Sequence, residues 1–480
     1  MEEESINSLN LQQQDVICNL LDRRKLKDDV RYLAVSGGPG TGKSYLLRSL
    51  CKIMRGRHLD YLVLAPTNLA ADNVGGKTIH KQIGGGGKLV DLISVMERDP
   101  SLRPLWNSND IEDVTRKVST YVKNYFGRLG NDKVLQVMED NVVRCEDLII
   151  VMDECSMVSL PLFYCLLSTL HSPSTTRIVL FGDRFQLTPV SKIKRSLYDL
   201  LDEAETNVLR FRLTENMRQR GNEYFKRFIL DWWNEKRTGN ELKHLKFGGD
   251  EDAFRKLPMP KIVLCGRRCD VQGVNSDILK EVEGKPIEIE ATVISYEDYA
   301  DATILQKSSL PPKLYLKNNV PVIMVKTCSE ELYTNTICSF CGFNNDEQIA
   351  LKDSSGKVHL LGKYRDEIKE YDEKTKRMTP IGTVLQFPIA LFFSTTTHRV
   401  QGITIDFPVL VKYSSFWDED TRLAYVATSR VTKPELLFYD TDPREIPPTV
   451  QTERASQKTV DTVIKRGIKR RLRINKDQKE

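Results

Sequence analysis

Residues 32–47 read YLAVSGGPGTGKSYLL and contain Gly37-x4-Gly42-Lys43-Ser44. Glycines at this spacing let successive backbone N–H groups curl around phosphate oxygens. A helix starting just after them adds the partial positive charge of its N-terminus. Gly37, Gly38, Pro39, Gly40, Thr41 and Gly42 would form that cradle. Lys43 would reach the β- and γ-phosphates of a nucleotide, and the Ser44 hydroxyl would ligate Mg²⁺. A second reactive pair stands at Asp153-Glu154, at the end of LIIVMDECSMV. Asp153 suits Mg²⁺ and Glu154 suits a base that polarises an attacking water. Alone, two acids after an apolar run describe many solvated loops. Together with a phosphate loop they are the two halves of an ATP-hydrolysing site. A third unit, RIVLFGDRFQLTPV over residues 177–190, follows directly, and its Gln186 is placed to sense a γ-phosphate.

These residues need a particular scaffold. The apolar runs before Gly37, Asp153 and Gln186 read as buried strands, and the Leu46, Leu47, Leu50 pattern after Ser44 reads as a helix. Strand, turn and helix in that order predict an open α/β sheet, which binds ligands at the C-terminal ends of its strands.

Further segments, in order, resemble the motifs of superfamily 1B helicases of the Pif and RecD-like group, over about residues 9–440. LNLQQQDVI looks like the adenine-reading glutamine motif, with Gln13 at the matching position. VLAPTNLAADNVGGKTIHK is similar to motif Ia and its following Thr-x-His element. The resemblance puts Thr67, Asn68, Thr78 and His80 on the path of a nucleic-acid strand. VMDECSMV and LFGDRFQLTPV resemble motifs II and III. LTENMRQ resembles motif IV and places Arg218 at the phosphates. TTHRVQGITID looks like motif V, with Thr397 and His398 toward the strand and Gln401 and Gly402 toward the nucleotide. YVATSRV looks like motif VI, with Arg430 as a second phosphate arginine. A lone Arg of this kind is more often a surface ion pair. Two of them, downstream of the first lobe, suit a clamp that forms when two lobes close on the γ-phosphate. Three departures from the family pattern stand out: Val400 in place of Ser, Asn68 in place of Gly, and Arg184 in place of Pro.

The resemblance implies two RecA-like P-loop lobes with parallel sheets. The first lobe is expected over 1–87 and 146–205, with a wedge-like insertion at 88–145. The second is expected over 206–291 and 380–447, with an SH3-like β insertion at 292–379. Within the first insertion, residues 111–137 alternate charge with Val, Tyr and Phe, a partly helical pattern. Within the second, YLKNNVPVIMVKT, ICSFCGFNNDEQIAL and KVHLLG read as short strands separated by turns.

Charge and composition limit the rest. Lys plus Arg is 71 and Asp plus Glu is 66, for a net +5. Residues 453–480 carry ten basic and four acidic side chains, and the other 452 residues carry 61 and 62. The basic character thus sits in a tail, 448–480, and the body is close to neutral. A histone-like polycation is excluded, and any grip on nucleic acid must come from local patches. In the tail, Val460, Ile464, Ile468 and Leu472 recur four apart among Lys and Arg. That spacing suits a basic amphipathic helix that tethers DNA or carries a nuclear address, and equally a solvated end. The acidic N-terminus is not a signal peptide, and no apolar run is long enough to cross a bilayer. Ten cysteines without a secretion signal suggest reduced thiols and an intracellular setting. Cys338-x2-Cys341 is the one good pair, too few for a structural zinc, so buried thiols are the expectation.

The expected activity is ATP- and Mg²⁺-dependent DNA unwinding, 5′ to 3′ along single-stranded DNA, by a monomer acting on single strands and forked duplexes. The implied setting is replication, recombination or repair, with proteins of those processes as candidate partners. An RNA helicase of the same superfamily and a P-loop switch that does not translocate are the rival readings.

Overall fold

The computed structural model describes residues 6, 8–21, 31–141, 147–170, 176–189, 191–193, 195–203, 208–219, 221–234, 245–296, 299–329, 331–344, 347–372, 374–375, 377–416 and 422–444. The basic tail lies outside the described residues.

The first six strands are β1 (Tyr32–Gly37), β2 (Tyr61–Ala65), β3 (Lys77–Thr78), β4 (Ile149–Met152), β5 (Arg177–Gly182) and β6 (Val208–Leu213). They form one all-parallel sheet in the order β3-β2-β4-β5-β1-β6. Successive side chains of a strand face opposite sides. Accordingly Ala34, Ile150, Met152, Ile178 and Leu180 enter one core, and Leu33, Val35, Ile149, Val151, Val179 and Phe181 enter the other. Helices Leu11–Leu21 and Lys43–Gly56 cover the second face through Val16, Ile17, Leu20, Leu46, Leu47 and Leu50. Burial on both faces explains why these strands are nearly all apolar. Strand β6 corrects one expected boundary. Residues 208–213 pair with β1 and complete the first sheet, so the second lobe does not begin at residue 206. The alternating VLRFRL pattern is that of an edge strand and carries no mark of which sheet it joins.

Between β3 and β4 the described elements are helices, among them Gly87–Met96, Arg103–Trp106, Ile111–Arg128 and Asp132–Asp140. Their apolar faces (Leu92, Val114, Val118, Val122, Phe126) join the first core directly.

The chain then gives β7 (Gly249–Asp250) and β8 (Ile262–Cys265) before a run of mostly antiparallel strands. That run is β9 (Ile287–Glu290), β10 (Thr292–Ser295), β11 (Lys313–Leu316), β12 (Pro321–Met324), β13 (Ile337–Phe343), β14 (Ile349–Lys352), β15 (Val358–Leu361), β16 (Tyr364–Asp372), β17 (Arg377–Gln386) and β18 (Ile389–Leu391). Sheets β15-β14-β13-β12-β18, β10-β17-β16 and β11-β9 result. The antiparallel pairing therefore extends beyond 292–379 at both ends. Cys338 and Cys341 stand on β13, the first buried and the second exposed. Among the described residues no group of three or more His, Cys, Asp and Glu could hold a metal ion.

Strands β19 (Ser394–Thr396), β20 (Val409–Val411) and β21 (Leu437–Tyr439) return to β7 and β8. The second all-parallel sheet has the order β19-β8-β20-β21-β7. The antiparallel insertion reaches back to the first lobe. Lys369 Nζ pairs with Asp91 at 2.6 Å, Arg377 donates to the Arg128 carbonyl at 3.2 Å, and Asn68 Nδ2 donates to Thr327 Oγ1 at 3.5 Å. No helix of the described residues is long and apolar enough to cross a membrane.

Candidate nucleotide site between the two lobes

Strand order brings the reactive residues together. The adjacent strands β4, β5, β1 and β6 lead, at their C-terminal ends, into Asp153-Glu154, Asp183 to Gln186, the phosphate loop and Arg218. Neighbouring strands lie about 4.8 Å apart, so four distant stretches of sequence share one edge.

The loop after β1 is shaped by glycine. Gly40 has φ 75° and Gly42 φ 80°, a left-handed conformation that side chains with a Cβ rarely adopt. A Cβ on Gly42 would lie 2.6 Å from Gln13 Nε2, and one on Gly40 would lie 2.5 Å from Arg218 Cβ. Gln13 is buried and is oriented by Asn10, whose side chain accepts from the Gln13 N–H at 2.9 Å. Its Nε2 lies 3.5 Å from the Thr41 and Gly42 carbonyls. Thr41 Oγ1 donates to the Gly38 carbonyl at 2.8 Å. Lys43 Nζ donates to the Gly37 and Gly38 carbonyls at 2.7 and 3.0 Å. Pro39, Thr41, Thr214, Asn216 and Ile229 line a cavity of about 310 Å³ beside the loop, large enough for part of a nucleotide.

Ser44 Oγ donates to Asp153 Oδ2 at 3.0 Å. Burial, and then the adjacent Glu154 charge, push the Asp153 carboxyl up to about 7. Glu154 adopts φ 48°, and its Oε2 is buried without a partner among the described residues. The same holds for Gln186 Oε1 and for both amide atoms of Gln401. Buried polar atoms are nearly always paired, so such a group at one cleft signals ligand contacts. The hydroxyl and carboxylate of Ser44 and Asp153 are hard oxygen donors of the kind Mg²⁺ takes.

The second lobe closes the site. A Cβ on Gly402 (φ 84°) would lie 3.6 Å from Glu154 Oε1, so the motif V turn faces the proposed base. Arg430 is 1% exposed, and among the described residues its hydrogen bonds go to carbonyls and a hydroxyl and not to a carboxylate. Its Nε donates to the Val426 carbonyl at 2.8 Å and its Nη2 to Ser429 Oγ at 2.9 Å. Burial lowers its basicity. Arg218 donates to the Ser429 carbonyl at 3.0 Å, and burial and then the Arg430 cation lower it to about 9. Two desolvated guanidinium groups side by side are costly alone and suit a bound polyanion.

The residues expected to face a nucleic-acid strand are placed at the ends of β2, β3 and β19. Thr67 and Thr78 cap short helices, accepting from Ala70 N and Lys81 N at 3.2 Å each. His80 is partly buried, which lowers its pKa. Thr397 Oγ1 donates to the Cys265 carbonyl at 3.4 Å, and His398 follows on the turn Thr397–Val400. The departure at Val400 is accommodated. Val400 is buried in the apolar core of the second lobe, where a hydroxyl would need a partner. Phe185 and Leu187, from the first lobe's loop after β5, pack into that same core.

Four further residues belong to the site: Asp183, Asn216, Gln219 and Tyr425. Asn216 Oδ1 accepts from the Arg218 and Gln219 N–H groups at 3.0 and 3.2 Å, fixing that loop. Gln219 donates to the Val431 carbonyl at 2.9 Å. Each lies within a motif segment, but its type alone does not separate it from its neighbours.

Fold and site define a two-lobed P-loop protein built to clamp a nucleotide between its halves. Residues 25–192 match a family model described as an AAA domain. The chain is 24% identical over 426 residues to the ATP-dependent DNA helicase Pif1 of Campylobacter jejuni, covering 84% of this chain and 87% of that one. It is 27% identical over 344 residues to the ATP-dependent DNA helicase PIF1 of Saccharomyces cerevisiae, covering 67% and 35%. Among solved structures, Pif1 helicase from Candida albicans superposes with a TM-score of 0.64 at 20% identity over 95% of this chain and 99% of that one. Bacteroides Pif1 in complex with ADP-AlF3 and single-stranded DNA gives 0.64 at 21% identity over 92% and 95%. The resemblance carried by the motifs therefore extends over most of the chain: it is Pif-like in sequence and shares the Pif1 helicase fold.

Proposed function

We propose that the protein is an ATP-dependent DNA helicase that translocates 5′ to 3′ on single-stranded DNA and opens forked duplexes. The observation that carries this reading is the split site. Phosphate loop and acid pair stand on one lobe, Arg430 and Gly402 on the other, and the two meet at Glu154. ATP binds with its phosphates along Gly37–Ser44 and its base toward Gln13. Ser44 and Asp153 hold Mg²⁺, which supplies charge neutralisation at the phosphates. Glu154 orients the attacking water, Gln186 and Gln401 bond the γ-phosphate region, and Arg218 and Arg430 stabilise the charge that develops there. Arg218 follows β6 of the first lobe and already lies against the phosphate loop, whereas Arg430 reaches the site only with the lobes together, so hydrolysis alternates with closure. Thr67, Asn68, Thr78, His80, Thr397 and His398 hold the strand across both lobes without reading its bases. The helical insertion parts the fork and the antiparallel insertion covers the strand. The basic tail tethers DNA or directs the chain to a nucleus.

The test is ATP turnover with and without single-stranded DNA, and displacement on forks with only a 5′ or only a 3′ tail. The parent chain is expected to be strand-stimulated and to open only the 5′-tailed fork, and Lys43→Ala to lose hydrolysis. Unchanged turnover in Lys43→Ala would sink the site assignment. Equal turnover with matched RNA would redirect the substrate, and indifference to any strand would leave a nucleotide switch.

A further inference from the structure

One hydrogen bond joins the loop after β5 to the arginine-bearing helix of the opposite lobe. Asp183 is fully buried and follows β5, the strand next to the one that ends in the acid pair. Its Oδ1 accepts from the Phe185 N–H at 3.0 Å. Its Oδ2 accepts both from Gln186 Nε2 at 3.2 Å and from Tyr425 OH at 3.0 Å. Tyr425 belongs to the helix Arg422–Thr428 of the second lobe and is also fully buried. Arg430 stands two residues past the end of that helix and is tied back to it, its Nε on the Val426 carbonyl.

One carboxylate oxygen thus holds the γ-phosphate sensor and the arginine helix at the same time. Around it the contact is apolar: Phe185 meets Tyr425 edge-on with ring centroids 6.4 Å apart, and Phe185 and Leu187 lie in the second lobe's core. In a dry setting a shared acceptor matters, because a change in one donor alters what the other sees. The Tyr425 phenol stays a donor, since burial and then the Asp183 charge raise its pKa well above the ordinary value.

We propose that Asp183 and Tyr425 form the coupling element of the motor: positioning residues that register the Arg430 helix against Gln186. Gln186 has one amide group to share. When it turns toward a γ-phosphate, Asp183 loses a donor and holds Tyr425 more tightly, which seats Arg430 at the phosphates. When the phosphate leaves, Gln186 returns to Asp183 and the grip on the arginine helix loosens. Neither residue need touch the reacting atoms. This inference rests on the ATP-hydrolysing reading above.

The test is Tyr425→Phe, which keeps the ring packing and removes only the hydroxyl. A hydrogen bond to a charged group justifies an expected fall of about tenfold in strand-stimulated kcat. KM for ATP is expected to stay within about twofold, since the phosphate loop is untouched. Asp183→Asn, whose amide oxygen still accepts from Tyr425, is expected to retain more of the stimulation than Asp183→Ala. Parental kcat and stimulation in a folded Tyr425→Phe would overturn the proposal. So would a loss shared equally by kcat, KM and thermal midpoint, which marks a merely structural contact. If Tyr425→Phe does not fold, the ranking of the two Asp183 variants decides alone, and equal rates for Asn and Ala overturn the proposal. The parent chain and Lys43→Ala run alongside: a parent without strand-stimulated hydrolysis refutes the underlying function, whereas a stimulated parent with an unaffected Tyr425→Phe refutes only the coupling.

Discussion

Gly40→Ala is the substitution whose cost follows most directly from the geometry. Gly40 sits at φ 75°, and its added Cβ would lie 2.5 Å from Arg218 Cβ and 2.8 Å from Asn216 Oδ1. The left-handed backbone alone costs about 1–2 kcal/mol for a residue with a Cβ. The overlap is with a Cβ, not the far end of a flexible side chain, so relief must move backbone, at about 1–3 kcal/mol. That backbone is tied: the Gly40 carbonyl accepts from the Met217 N–H at 2.7 Å. The total of about 2–5 kcal/mol should lower the first lobe's melting midpoint by about 4–20 °C, at about 2–4 °C per kcal/mol for a lobe of this size. Activity should fall further, since Arg218 is pushed off the phosphate loop. A misplacement of about 1 Å at a reacting centre costs on the order of 100-fold in rate. Thermal melts and steady-state ATP hydrolysis measure both effects. Gly56→Ala is the control, since nothing lies within 4 Å of its added Cβ. A Gly40→Ala protein that melts and turns over like the parent would refute the packing of Arg218 against the loop.

Two other expectations are independent of that one. Burial lowers the His80 pKa below its ordinary value of 6.5. The unfolded chain therefore binds this proton more readily than the folded one, and the stability it contributes is present above pH 6.5 and lost as pH falls below it. His80→Gln should shrink the drop in melting midpoint between pH 7.5 and about pH 5.5, and an unchanged drop would show that the ring is not desolvated. Deleting residues 453–480, with their net excess of six basic side chains, should weaken DNA retention and flatten its salt dependence while sparing ATP hydrolysis. Loss of hydrolysis in that truncation would make the tail part of the motor.

Local chemistry made much of this legible in the linear chain. Gly37-x4-Gly42-Lys43-Ser44 and Asp153-Glu154 could be read because a phosphate needs converging N–H groups and a divalent ion needs paired oxygens. The first demand is met by residues a few positions apart, and the second by one oxygen from each of two recognisable short segments. Apolar runs marked the buried strands for the same reason, since a strand covered on both faces has no polar position to spare. Other features depended on pairings between remote segments. The edge strand Val208–Leu213 looked like the start of a new lobe, and only its ladder with Tyr32–Gly37 put it in the first sheet. The antiparallel insertion proved wider than its turn residues suggested, because strand ends are set by partners. Val400 departed from its family pattern for no visible reason until it was found in the second lobe's core. Asp183 and Tyr425, 242 positions apart, share a hydrogen bond that no spacing rule reaches. Sequence by itself determined the groups able to bind and split a nucleotide, because those depend on residue type and short spacing. Tertiary structure decided which lobe carries each group and what joins the lobes, because burial and pairing depend on what the fold brings near.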